Sequence, residues 1–265
     1  MSSRNPSILL AFIFSMLLLP QCASGPDTNE AEPPPVKTLV SAPAPRVKLN
    51  IESVVQTRGS LSSPACMEMV FHYWGEKRYS QYDIARSLVW EFKDAKKYVK
   101  SHTLFQIRSG KSAAEMDWSS FPGTGTYYAG EFLKSLGNTR NPRIQNLPRD
   151  PGRSQKLQDQ FFKDVKIYLS SGIPVIVHQW IDGERKDQTF RVVTGYDEDK
   201  QLVFLNDPAL GAMELSYSAF LGLWKVDQEW LAYHYIAFNV PGEGYIPRGE
   251  LNLQLKGPAS KPEVN

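Results

Sequence analysis

Few side chains in this 265-residue sequence can do nucleophilic or acid–base chemistry near neutral pH: it holds two cysteines and four histidines. Ser62, in Ser62-Ser63-Pro64, heads a run that reads as a helix, and Cys66 follows one turn later. A hydroxyl or thiol so placed attacks a carbonyl only when a base lies beside it. His178 falls on an apolar, strand-like run, and Asp207 precedes Pro208. Each of these also has a purely structural reading. Serine is a favoured helix N-cap. Cys66 is displaced ~6 Å along the axis from the helix-terminal amides and suits a buried helix position. His178 suits a partly buried strand, Asp207-Pro208 an Asx turn ending a strand, and Gln56 a bond to the backbone where the helix begins. His72 and His234 stand among aromatic residues, and His102 falls in a loop. So little material leaves no basis for a metal cluster or disulfide framework, and no metal or cofactor is expected.

The elements that would position these groups come helices first, strands later. Ser62 to Tyr73 is stopped by Gly75. Ser80 to Trp90 places Ile84, Leu88 and the Trp90 region on one side, and Thr126 to Leu136 ends at Gly137. Gln155 to Leu169 carries Leu157, Phe161, Val165 and Leu169 at helical spacing. The period then shortens: Ile173–Trp180, Phe190–Tyr196 and Leu202–Leu205 are strand-like, with a hairpin turn at 197–200, and Trp230–Val240 is a last strand. Helices followed by hairpin-linked strands predict an α+β domain with a largely antiparallel sheet.

Gln56 to Gly75 (QTRGSLSSPACMEMVFHYWG) resembles the start of the papain-like bacteriocin-processing peptidase family, the cysteine peptidase family 39-like domains. Gly172-Ile173-Pro174-Val175-Ile176-Val177 is similar to the family's Gly-x-Pro-Val strand, and Phe190 to Asp197 to its next strand. Leu205-Asn206-Asp207-Pro208 is similar to its Asn-Asp-Pro turn, and Phe220 to Trp224 to the aromatic segment after it. The resemblance runs from about Gln56 to Asn239. It implies a papain-like α+β fold, with a helical half packed on a mainly antiparallel sheet.

The resemblance also implies a chemistry. In that family a cysteine thiolate at a helix N-terminus is assisted by histidine, an Asp or Asn orients the histidine, and a glutamine donates to the oxyanion. Gln56 matches the glutamine and Asp207 the orienting residue. The nucleophile position, two before the proline, is Ser62, and the histidine position, just before the aromatic, is Thr189. Threonine is no base near neutral pH, and an unassisted serine is a poor nucleophile. The motif that indicates the fold therefore counts against the activity, unless Cys66 or Ser62 works with His178 in its place.

The flanks suggest an envelope protein. Arg4, the apolar run Ile8–Leu19 and Cys22 resemble a bacterial lipoprotein signal, with residues 1–22 as the signal and Cys22 the lipidated residue. Cleavage near Ala23-Ser24 is the alternative. Ser24 after Cys22 implies outer-membrane sorting by the same resemblance. Residues 23–46 read as a proline-rich linker, 47–240 as the folded body and 241–265 as a polar tail. A formal charge of +2 without a basic run argues against a nucleic-acid surface. Within 93–122, Lys93, Lys96, Lys97, Lys100, Arg108 and Lys111 alternate with Tyr98, Phe105 and Trp118, either as a solvated face with a loop or as a recognition insert. Three functions stay open. One is a catalytically degenerate domain binding a peptide or protein segment in a relic cleft. The others are an active cysteine or serine hydrolase using Cys66 or Ser62 with His178, and a structural envelope lipoprotein.

Overall fold

A computed structural model describes residues 39–91 and 118–239, apart from 76, 78–79, 119–120, 122, 137, 143, 145–146 and 229. The signal segment with Cys22, the C-terminal tail and most of the 93–122 insert lie outside the described residues, as does the side chain of Trp90.

Seven strands form one sheet: β1 (Arg46–Lys48), β2 (Asn138–Arg140), β3 (Val175–Trp180), β4 (Gln188–Asp197), β5 (Leu202–Asp207), β6 (Gly211–Ser216) and β7 (Tyr235–Asn239). Their order is β2-β7-β3-β4-β5-β6, with β1 also on β4, and every pairing is antiparallel. The described residues also form five helices, α1 (Ser62–Tyr73), α2 (Gln81–Glu91), α3 (Thr126–Leu136), α4 (Pro151–Ser170) and α5 (Tyr217–Trp224), with α2 packed on α1 and α3. The α+β architecture is the one expected.

Local chemistry sets the ends of these helices. The carboxylate of Asp150 accepts from the Arg153 N–H, and Pro151 takes the first helical position of α4. At its other end Ile173 N–H reaches Tyr168 O and Gly172 N–H reaches Leu169 O, a Schellman closure in which Gly172 takes φ +74°. Helix α1 is buried nearly all round, with Met67, Met69, Val70 and Phe71 inaccessible, as befits the helix at the centre of the molecule.

Strand alternation divides the sheet's two faces. Ile176, His178, Val192 and Phe190 point to the side covered by α1, where Phe71 meets Phe238 edge-on. Val177, Gln179, Thr189 and Arg191 point to the side covered by α4 and α5, where Phe161 meets Tyr235 and Gln179 Nε2 donates to Phe220 O.

The linker expected to reach residue 46 ends sooner, because the body takes up its last residues. Val40 and Ala44 N–H groups donate to the hydroxyls of Ser171 and Ser170, Glu198 N–H donates to Pro45 O, and the Tyr196 hydroxyl donates to Ala44 O. β1 then crosses Gly195 so closely that a Cβ there would overlap Val47 O and lie 2.8 Å from Lys48 Cα. Three short elements escape the sequence pattern: β1 and β2 have three residues each, too few to show a period, and β6 follows the Asn-Asp-Pro turn with only two apolar side chains turned inward. The final strand starts at Tyr235 rather than Trp230, since 230–233 make a turn in which Tyr233 has φ 55°.

Candidate functional site

The N-terminus of α1 and the starting end of β4 enclose a cleft of about 340 Å³. Its lining includes Ser60, Ser62, Thr124, His178, Gln188 and Phe190, together with Gly59 and Gly125.

Ser62 is the first residue of α1, reached through a short 3-10 turn, Gly59–Leu61. The expected serine N-cap does not form: the capping position is Leu61, and no side chain caps the helix. The 3-10 turn runs straight into α1 and leaves Ser62 already helical, with φ −57° and ψ −46°. Its hydroxyl belongs to the cleft wall rather than to the helix cap.

Cys66 lies one turn deeper and is wholly inaccessible, within the core cluster. Burial pushes its thiol pKa well up, the Asp207 carboxylate adds to this, and the Arg191 guanidinium opposes it. A thiol in such surroundings stays protonated and shielded. The structural reading of Cys66 fits what is seen.

The histidine position, Thr189, is buried and does not line the cleft, although Gln188 and Phe190 on either side do. Its hydroxyl turns back to Phe190 O at 3.3 Å, and its cross-strand partner is Gln179. The period of two thus sets Thr189 with Arg191, on the face away from His178. The imidazole in the cleft is that of His178, which stands opposite Phe190 with ring centroids 4.7 Å apart. His178 is 7% exposed, and burial pushes its pKa down to about 4. Ser62 and His178 share the cleft without a hydrogen bond between them.

Asp207 has other partners. Its Oδ2 accepts from Arg191 Nε at 2.7 Å, and its Oδ1 accepts from the N–H groups of Ala209 and Leu210. The Arg191 side chain is 1% exposed and donates also to Gln179 Oε1, Trp180 O and Ile181 O. The Asx turn read from Asp207-Pro208 is present, with a buried ion pair added to it.

Gln56 is held by its backbone. Its N–H donates to Pro208 O at 2.8 Å, which ties the segment before α1 to the Asn-Asp-Pro turn. Gln81 grips the residues on either side, accepting from Thr57 N–H and donating to Val55 O. Gln81 itself is fixed by Glu68 Oε2, which accepts its N–H at 2.6 Å. The sequence offered no signal for Gln81 beyond its place at the start of a helix. The Gln56 Oε1 atom is buried without a hydrogen-bond partner among the described residues.

Two of the remaining histidines lie outside the cleft, against polar partners. His234 is buried and its Nε2 meets Asn141 Oδ1, while His72 lies 3.8 Å from Glu68. His102 lies outside the described residues. Trp118, read with the insert, is 3% exposed and stacks on Tyr82, so this one residue belongs to the core. Among the described residues no group of three His, Cys, Asp or Glu is placed to hold a metal ion.

A central helix whose N-terminus meets the strand ends of an antiparallel sheet across a cleft is the papain-like peptidase arrangement. Residues 48–238 match the Peptidase_C39 like family, and the chain belongs to that family. Two solved structures are similar. One is a double glycine motif protease from an AMS/PCAT transporter in complex with the leader peptide, 17% identical, covering 76% of this chain and 99% of that one, with TM-score 0.37. The other is xylellain, a cysteine protease from Xylella fastidiosa, 11% identical, covering 76% and 88%, with TM-score 0.36. A search of the curated proteins finds no match.

Proposed function

We propose that this chain is a papain-like domain that binds an extended peptide or protein segment in its cleft and does not cleave it. The observation that carries this reading is the fate of three positions around an open cleft. The nucleophile position is Ser62, the base position is Thr189 and turned from the cleft, and Asp207 is committed to Arg191. A serine without an oriented base is a poor nucleophile. The groove, the Gln56 segment and the strand ends remain, and these suffice to hold an extended main chain. We further propose that the chain is an envelope protein, exported by residues 1–22 and anchored at Cys22, with 23–38 as its tether.

A second reading rests on one specific observation: Ser62 and His178 line the same cleft. A substrate that drew the two together would make a serine hydrolase lacking an orienting carboxylate. Incubating the full chain with a randomised synthetic peptide pool separates the readings. Binding alone gives retained peptides with intact sequences, and His178→Phe leaves no product to lose. New peptide termini that vanish in Ser62→Ala would overturn the proposal.

A further inference from the structure

Among the described residues the lining of the cleft carries no formal charge. Its polar side chains are serines, threonines, Gln188 and His178, with no Asp, Glu, Lys or Arg among the lining residues. Two of its polar atoms, His178 Nδ1 and Thr124 Oγ1, are buried with no hydrogen-bond partner among the described residues. His178 is more than nine-tenths buried and, being neutral above about pH 4, offers a ring nitrogen rather than a cation. A buried polar atom left unpaired carries a cost that a ligand amide or carbonyl relieves. A charged side chain brought to the same floor finds no counter-charge among the described lining residues to offset the water it loses. Gly59 and Gly125 open the walls: a Cβ added at either meets no atom of the described residues within 4 Å.

We infer that the cleft selects an uncharged stretch of extended peptide, taken through its main chain by His178 and Thr124, and rejects segments that place Asp, Glu, Lys or Arg over that floor. This rests on the peptide-binding reading above and adds its specificity, which comes from exclusion rather than from a dedicated side-chain pocket. Gly59 and Gly125 keep the space that the bound main chain fills. Lost binding after a substitution at Gly59 therefore reports on occupancy, since nothing in the fold needs that space.

The test is selection of phage-displayed random peptides on the full chain, at low and at high salt. Enriched peptides are expected to share a run of uncharged residues, and to bind within about twofold at both salt concentrations, because no exposed ion pair is made. Gly59→Val and His178→Phe are each expected to reduce binding at least tenfold, with an unchanged circular dichroism spectrum at neutral pH. A fixed acidic or basic residue in the enriched run, or affinity that collapses with salt, would overturn the inference while leaving peptide binding intact. Peptides that bind Gly59→Val as well as they bind the native chain would place the ligand elsewhere and overturn the inference. Failure to enrich any peptide would overturn the binding proposal together with it.

Discussion

Asp207→Asn isolates what the family's aspartate position does in this chain. The amide keeps an oxygen for the Ala209 and Leu210 N–H groups, so the turn can survive. It places a neutral group against Arg191 Nε, where the carboxylate accepts at 2.7 Å, and leaves a guanidinium cation 1% exposed without a counter-charge. Breaking one side of a buried pair costs about 3–5 kcal/mol. For a domain of this size each 1 kcal/mol moves Tm by about 2–4 °C, so a fall of roughly 6–20 °C is expected. Urea unfolding followed by tryptophan fluorescence measures it, with Ser62→Ala as the control. Ser62 caps no helix end, so its hydroxyl should cost no more than about 0.5 kcal/mol to remove. A second readout is amide exchange at Gln56, whose N–H is held by Pro208 O and should open with the turn. Loss of less than about 1 kcal/mol in Asp207→Asn would show that the aspartate is not structural.

Three other expectations follow from single environments. His178 has a folded pKa of about 4, below its unfolded value, so the unfolded chain takes up a proton first and stability falls as pH drops below about 6.5. About 2 kcal/mol should be lost between pH 7 and pH 5 through this residue, and His178→Phe should abolish that share in paired urea titrations; an unchanged pH slope would contradict it. Gly195→Ala forces β1 off the sheet at Val47 and should cost about 1–3 kcal/mol while exposing residues 40–48 to protease. Equal protease resistance in the variant would show that the crossing is loose. Cys66 should not react with a thiol reagent in the native chain and should react on unfolding, since it is buried and its thiol protonated; rapid native labelling would contradict its burial.

Much of this architecture is legible where a single element carries its own signal. Gly75 marks the end of α1, because the left-handed backbone there favours glycine. The β-branched run Val175–Val177 and the turn at 197–200 mark β3 and the β4–β5 hairpin. What stays hidden depends on partners far apart in sequence. Arg191 reads as one polar residue in an apolar strand until register puts it across from Asp207. Residues 40–46 read as linker because their place is made by the hydroxyls of Ser170, Ser171 and Tyr196, not by their own residues. The site divides the same way. Of the positions singled out by pattern, Ser62 lines the cleft and Gln56 and Asp207 do not, and the strand period decides that His178, and not position 189, presents its side chain there. Gln81 escapes because its amide acts on the backbone of Val55 and Thr57, which no spacing rule connects to it.

Mass spectrometry of the full chain decides whether the cleft holds peptide without chemistry. The chain is incubated with a serine-reactive fluorophosphonate, a thiol-reactive iodoacetamide and a peptide pool, and every adduct and terminus is read. Retained peptides with their original termini, and no adduct on Ser62 or Cys66, are the expected result. Stoichiometric labelling of Ser62, with peptide termini that disappear in Ser62→Ala, would contradict it.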